Sequence, residues 1–285
     1  MSKLIFFLFF SVSLVYGQNQ SLKEIKHLSK KLTEISGIEI LKGSNLIWAI
    51  NDSGNPNVVY GFTQHGKLKK EVEIKNAENV DWEDLAKDNH GNLYISDTGN
   101  NDSDREDLTI YMVEDFLKQK KKAKAKKIEF SFEDQDEFPA DDDHMNFGSE
   151  ALIYKSGNLY LFTKNRSKHP DGTVNVYKLP AKPGKYKAKK IGSYKTCKGK
   201  RECWITAASI NTEEDEVILL SEKYVWKLSN FKGDDFFSGN IQQYEIPGKR
   251  TQKESICYKN STTAFLADEK ESKKKGRNLY EFSLK

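Results

Sequence analysis

Beyond residue 35, apolar positions come in short runs or strict alternation, divided by Gly, Asn, Asp and Pro, and a 3.6-residue period is nearly absent. The pattern predicts strands, of which Leu46–Ile50, Leu93–Ile95, Leu159–Phe162, Val217–Leu220 and Thr263–Ala267 are examples. Each follows a related run rich in small residues, at 36–40, 83–86, 150–153, 207–210 and 254–257. Small side chains let backbones crowd together, as they must around a common axis. A third run with an aromatic follows each pair, at 58–60, 109–111, 174–177, 224–226 and 278–280. A fourth follows in the first four units, at 72–74, 127–130, 188–191 and 241–244.

The units start at residues 36, 83, 150, 207 and 254, so the steps are 47, 67, 57 and 47. Propeller blades run about 40–50 residues and lengthen by insertion. The expected fold is therefore all-β: one five-bladed β-propeller of four-stranded antiparallel blades over residues 19–285. The last unit reaches the C-terminus before its fourth strand. Residues 22–28 are expected to fill that place and close the ring, which removes exposed edges. Two sandwich domains are the alternative. Residues 118–127, nearly all Lys and Ala, read as a solvated hairpin tip or a contact for an anionic surface. The acidic stretch 133–143 reads as a solvated loop, a supplementary cation site or a rim over the pocket.

Charge narrows the partners. Lys plus Arg number 46 against 42 Asp plus Glu, a net +4, which argues against a nucleic-acid binder with a concentrated basic face. Aromatics at 12% argue against disorder. Residues 1–18 read as a signal peptide, with Lys3 ahead of a 13-residue apolar stretch, Leu4–Tyr16, and a small residue at Gly17. An uncleaved N-terminal anchor is the alternative. No later stretch is apolar for 18 residues, so no membrane span is expected. The chain is expected to be secreted or periplasmic, and a monomer. Export permits a disulfide between Cys197 and Cys203 across a polar loop, with two free thiols as the alternative. Cys257 reads as a small buried hydrophobe.

The repeat also aligns polar positions. Glu83 is followed fourteen residues later by Asp97, Glu150 by Lys164, and Glu254 by Asp268. The fourth unit has Ala207 in the first position and Glu222 fifteen residues on, while the first unit has Ser36, then Asn51 and Asp52. In an antiparallel pair the start of one strand lies beside the end of the next, so these groups are expected to ring one face near the axis. Glu83, Asp97, Glu150, Glu254 and Asp268 are the candidate metal ligands. Converging carboxylates repel, and a hard cation relieves them. Ca²⁺ suits such an oxygen set, since it takes six to eight ligands in flexible geometry. Alternatively, the acids form structural ion pairs with Lys164, Lys223, Lys270 and Arg105. Asn51, Asp52, Asn100, Asn101, Arg105, Lys164 and Glu222 are the candidate ligand-binding residues. Arg105 and Lys164-Asn165-Arg166 are suited to a phosphate or carboxylate. No nucleophile motif is present, so catalytic residues stay unassigned, with Glu83, Glu150 and Lys164 as candidates. His144 and His169 are either general bases or solvated loop residues.

Three segments carry a resemblance: Asn51-Asp52-Ser53-Gly54; residues 81–86 (DWEDLA) with 93–101 (LYISDTGNN); and 149–154 (SEALIY) with 161–164 (LFTK). Their order and spacing resemble a family of secreted bacterial β-propeller proteins of unassigned activity, over residues 34–270. At 205–210 this chain reads ITAASI where the family pattern has Gly-Ala-Asp after the Thr, which puts a fourth acidic ligand in doubt. More distantly the layout is similar to calcium-dependent propeller hydrolases: paraoxonase, gluconolactonase, regucalcin and the five-bladed apyrases. The resemblance implies Ca²⁺ at the tunnel, held from inner-strand starts, where Glu83, Glu150 and Glu254 fall; paraoxonase-type members have six blades. The implied function is an exported module binding a small molecule, glycan or protein on that face. The alternative is a calcium-dependent hydrolase of phosphoesters or lactones.

Overall fold

The computed structural model describes residues 20–198, 201–272 and 275–285; the expected signal peptide, residues 1–18, lies outside them. The described chain is all-β apart from one 3₁₀ turn, Phe116–Lys118. Each unit is an antiparallel meander. The first runs Ile35–Glu39, Leu46–Asn51, Val58–Thr63 and Leu68–Ile74. The fourth runs Ala207–Ile210, Glu216–Leu220, Tyr224–Ser229 and Asn240–Glu245. The last sheet combines Lys253–Asn260, Thr263–Asp268 and Asn278–Ser283 with the N-terminal Leu22–His27, which pairs antiparallel to Asn278–Ser283. The first and last strands of the described residues thus share one ladder.

Each innermost strand packs against the next. The order is Ile35–Glu39, Trp82–Lys87, Gly148–Lys155, Ala207–Ile210 and Lys253–Asn260, and the last returns to the first. Side chains tie the circuit: Ser36 Oγ donates to Trp82 O at 2.7 Å, Thr206 Oγ1 to Lys253 O at 2.7 Å, and Ser255 Oγ to Ile35 O at 3.2 Å. The strands approach closely; a Cβ on Gly37 would stand 2.8 Å from Asp84 Cα. Apolar clusters fill the space between successive sheets. Trp48 and Trp82 lie in one, Phe132 and Tyr177 in the next, then Phe162 and Trp226. Phe62 and Phe265 join the last sheet to the first, beside the buried free thiol of Cys257. Burying each such side chain contributes about 1.5–3 kcal/mol.

The sheets are less separate than the repeat predicts. Lys126–Phe132 pairs in parallel with Gly184–Lys195, so the second and third meanders merge into one eight-stranded sheet. The Lys/Ala stretch is no free hairpin tip either: Lys122–Ala123 pairs in parallel with the outer edge of Leu68–Ile74. Its alternation buries Ala123 and Ala125 and leaves the lysines in solvent. Both additions cover a strand edge that would otherwise present unpaired backbone groups. Cys197 and Cys203 are disulfide-bonded, and among the described residues no helix is long and apolar enough to cross a membrane.

Candidate functional site

The innermost strands share a local irregularity. Their pairing slips between Ile35 and Gly37, between Trp82 and Leu85, between Ser149 and Ala151, and between Lys253 and Ser255. The residues at the slips are Ser36, Glu83 with Asp84, Glu150, and Glu254. A β-bulge leaves its extra residue unpaired and re-aims its side chain. The fourth inner strand, where Ala207 stands in place of an acid, pairs without a slip. The repeated acidic position of the sequence is thus the bulge position.

These residues meet at one small cavity of about 80 Å³, lined by Ser36, Asp52, Glu83, Glu150, Lys164 and Glu254, among others. Asn101, Arg166, Gln252 and Glu269 complete it. Glu150 is bonded to Lys164 Nζ, and its other oxygen lies 3.4 Å from Arg166 Nη2. Lys164 Nζ and the Arg166 guanidinium lie 5.7 and 5.3 Å from the centre of the Trp204 ring. Burial opposes charge on Lys164, yet Glu150, Glu254 and Glu83 around it raise its pKa.

The carboxylates are pushed up as well, which for an acid favours the neutral form. Burial, followed by repulsion from Glu150 and Asp52, lifts Glu83 well above the ordinary range. Burial likewise pushes Glu254 up to about 8 against the pull of Lys164, and Glu269 up to about 9 with repulsion from Glu254 added. Asp52 rises to about 7, through burial and its hydrogen bond with Asp81. Two carboxyl groups that share a hydrogen bond must hold a proton between them or yield it to a cation.

Asp52, Asp81 and Glu83 each place a carboxylate oxygen within 4.8 Å of the other two. The set is oxygen only, the donor type of a hard cation such as Ca²⁺. Gly99 is built into it. A Cβ there would stand 2.1 Å from Asp81 Oδ2 and 2.3 Å from Glu83 Oε1, so only glycine lets the two carboxylates close over the turn. These residues fit a divalent cation.

Other expected residues lie outside the cavity. Asp97 accepts from Asp81 N at 2.9 Å and from Arg105 Nη1 at 3.1 Å, which engages Arg105 as well; Arg105 Nε also reaches Asp107 at 3.0 Å. Burial raises the Asp97 pKa although Arg105 opposes it. Asp268 is fully buried and accepts from Asn278 N at 2.7 Å and Tyr280 Oη at 2.8 Å. Glu222 pairs with Arg250 at 3.1 Å. Asn100 braces its own loop, accepting from Arg105 N and donating to Phe147 O. Asn51 donates to Lys31 O at 2.7 Å. His144 and His169 are exposed beside Asp141 and Asp143.

Four residues that sequence reasoning missed belong to the axis. Asp81 immediately precedes the strand Trp82–Lys87, and the slip at Glu83 brings the two carboxylates together. Glu269 follows Asp268 as Asp52 follows Asn51, and in both cases the second residue lines the cavity. Trp204 had no signal beyond the irregular ITAASI segment that follows it. Asp84 sits deeper, 0% exposed, and accepts from Leu85 N at 2.8 Å, Leu152 N at 2.9 Å and Ala208 N at 3.2 Å.

No protein-family model matches the chain, and no curated protein matches it in sequence. Among solved structures it is similar to the PQQ-bound aldose sugar dehydrogenase of Streptomyces coelicolor, with 10% identity, 93% of this chain and 98% of that chain covered, and a TM-score of 0.51. It is also similar to a putative gluconolactonase, with 8% identity, coverage of 93% and 92%, and a TM-score of 0.50. Both are β-propeller-like enzymes, and the likeness is one of fold.

Proposed function

We propose that the protein is an exported five-bladed β-propeller whose axial cavity holds Ca²⁺ as part of a binding site on that face. The observation that carries the reading is the alignment of Ser36, Glu83, Glu150 and Glu254 at bulges of successive inner strands, with Asp52, Asp81 and Glu83 oxygens already within 4.8 Å. Asp52, Asp81 and Glu83 would hold the ion, with Glu254 and Glu269 balancing its charge. The ion would neutralise crowded acids and polarise an oxygen of a ligand at the mouth. Lys164 and Arg166 would then take a ligand's negative charge, with Trp204 behind them.

The cavity's size limits what can enter it to an ion and water, so a larger ligand would rest at the mouth. About 80 Å³ admits an ion and a few waters, whereas pockets for small organic substrates run to about 300–1,000 Å³. Hydrolysis of a lactone or phosphoester is the second reading, favoured by the two cationic side chains beside Glu150.

The test is thermal unfolding with Ca²⁺ and with chelator. At a hundredfold excess over Kd, binding adds about 2.7 kcal/mol, or roughly 5–10 °C for a chain of this size. Glu83→Gln is expected to abolish that shift. Absence of a shift in the native protein would sink the cation reading. Lactone or phosphoester turnover that disappears in Glu150→Gln would replace the binding reading by the hydrolase.

A further inference from the structure

The acidic stretch after Phe132 builds a second and larger cavity, about 560 Å³, whose lining shares no residue with the axial one. Five acids line it, Asp134, Asp136, Glu137, Asp141 and Asp143, against Lys190 and His144. Lys190 answers one of them, standing 3.9 Å from Asp134, whose carboxylate also accepts from Tyr177 Oη at 2.8 Å. Among the described residues Asp136 and Glu137 have no ion-pair partner within 4.0 Å. The cavity therefore carries uncompensated negative charge over a volume suited to a small organic ligand.

Its floor supplies the second observation. Gln135 lines the cavity and is only 5% exposed. Its Nε2 donates to Ser103 O at 2.8 Å and lies 3.5 Å from Glu137 O, which fixes the amide's orientation. Its Oε1 is buried with no partner. A buried acceptor without a donor costs about 1–3 kcal/mol, and an N–H donor from a ligand recovers it. Phe147 adds an aromatic surface to the same lining.

The acids do not converge. Among the described residues, Asp52, Asp81 and Glu83 form the one group of three metal-ligating side chains with donor atoms within 4.8 Å, and none of them lines this cavity. Separated carboxylates suit separated positive charges rather than one ion. We propose that this cavity binds a small organic polycation of the polyamine class. Its ammonium groups would meet the acid rim, its methylene chain would lie on Phe147, and one N–H would reach the orphaned Gln135 oxygen.

Calorimetric titration with spermidine tests this, using the native protein, Asp136→Asn with Glu137→Gln, and Glu83→Gln as a control at the axis. The two rim positions make no ion pair in the fold, so their neutralisation should leave the unfolding temperature unchanged. One spermidine per chain is expected, at least tenfold weaker in the rim variant and unchanged in the axial one. Ca²⁺ and glycerol should not compete. Absence of spermidine binding, equal affinity in the rim variant, or binding of a lysine-rich peptide but not of spermidine would each overturn the proposal. The axial cation reading is independent of all three results.

Discussion

Replacing Asp84 by Ala removes an acceptor on which three strands depend. Its Oδ1 takes the N–H of Leu85, and its Oδ2 takes those of Leu152 and Ala208, so Trp82–Lys87, Gly148–Lys155 and Ala207–Ile210 meet at one side chain. The residue is 0% exposed, and the approach of Gly37 leaves the backbone no slack to close a gap. Each orphaned N–H costs about 1–3 kcal/mol. Burial raises the Asp84 pKa well above its ordinary value, so deleting the carboxyl also relieves a desolvation penalty. The expected net loss is about 3–6 kcal/mol, a large part of the roughly 5–15 kcal/mol that holds a domain folded. Asp84→Asn keeps one acceptor oxygen but turns an NH₂ toward another donor, and should lose about half as much. Urea unfolding gives the free energies, and amide exchange at Leu85, Leu152 and Ala208 localises them. A loss below about 1 kcal/mol in Asp84→Ala, with those amides still protected, would refute the reasoning.

Gly99→Ala places a methyl among the Asp81 and Glu83 carboxylates; crowding of this kind costs about 1–3 kcal/mol. The variant should fold, and calorimetry should show its Ca²⁺ affinity lowered at least tenfold; native affinity would contradict the closure over Gly99. The pH dependence of the metal-free protein has a definite sign. Glu254 rises from 4.5 to about 8 and Glu269 from 4.5 to about 9, burial leading in both. Between those limits the folded state holds more protons than the unfolded one, so stability falls as pH rises from about 4.5 to about 9 and then levels off. The slope is at most about 1.4 kcal/mol per pH unit for each group. Urea unfolding in chelator at pH 5, 7 and 9 checks it, and stability that climbs over this range would contradict the buried acids.

Much of the architecture could be read from local pattern. Alternation marks the strands, and the leftover segment 22–28 supplies the strand that pairs with Asn278–Ser283. Equal spacing picked out Glu83, Glu150 and Glu254, because a repeated packing problem places equivalent residues alike. Beyond that, the choice between neighbours was not legible. Asp97 and Asp268 bind within their own sheets, while Asp81 and Glu269, one or two positions from an expected residue, face the axis. A strand reverses face at each residue, so a single bulge changes which acid points inward. Spacing along the chain carries no record of where a ladder slips.

The edge pairings, Ala123 beside Ile74 and Phe132 beside Ala188, join segments far apart in sequence, and no local period announces them. Asp84 shows the same limit, since in the chain it is one acid within DWEDLA. Chain order and residue type suffice to predict strands and a shared axis. Which carboxylates crowd there, and so which must bind a proton or a cation, depends on three or more strands arriving together, because desolvation and repulsion act through space.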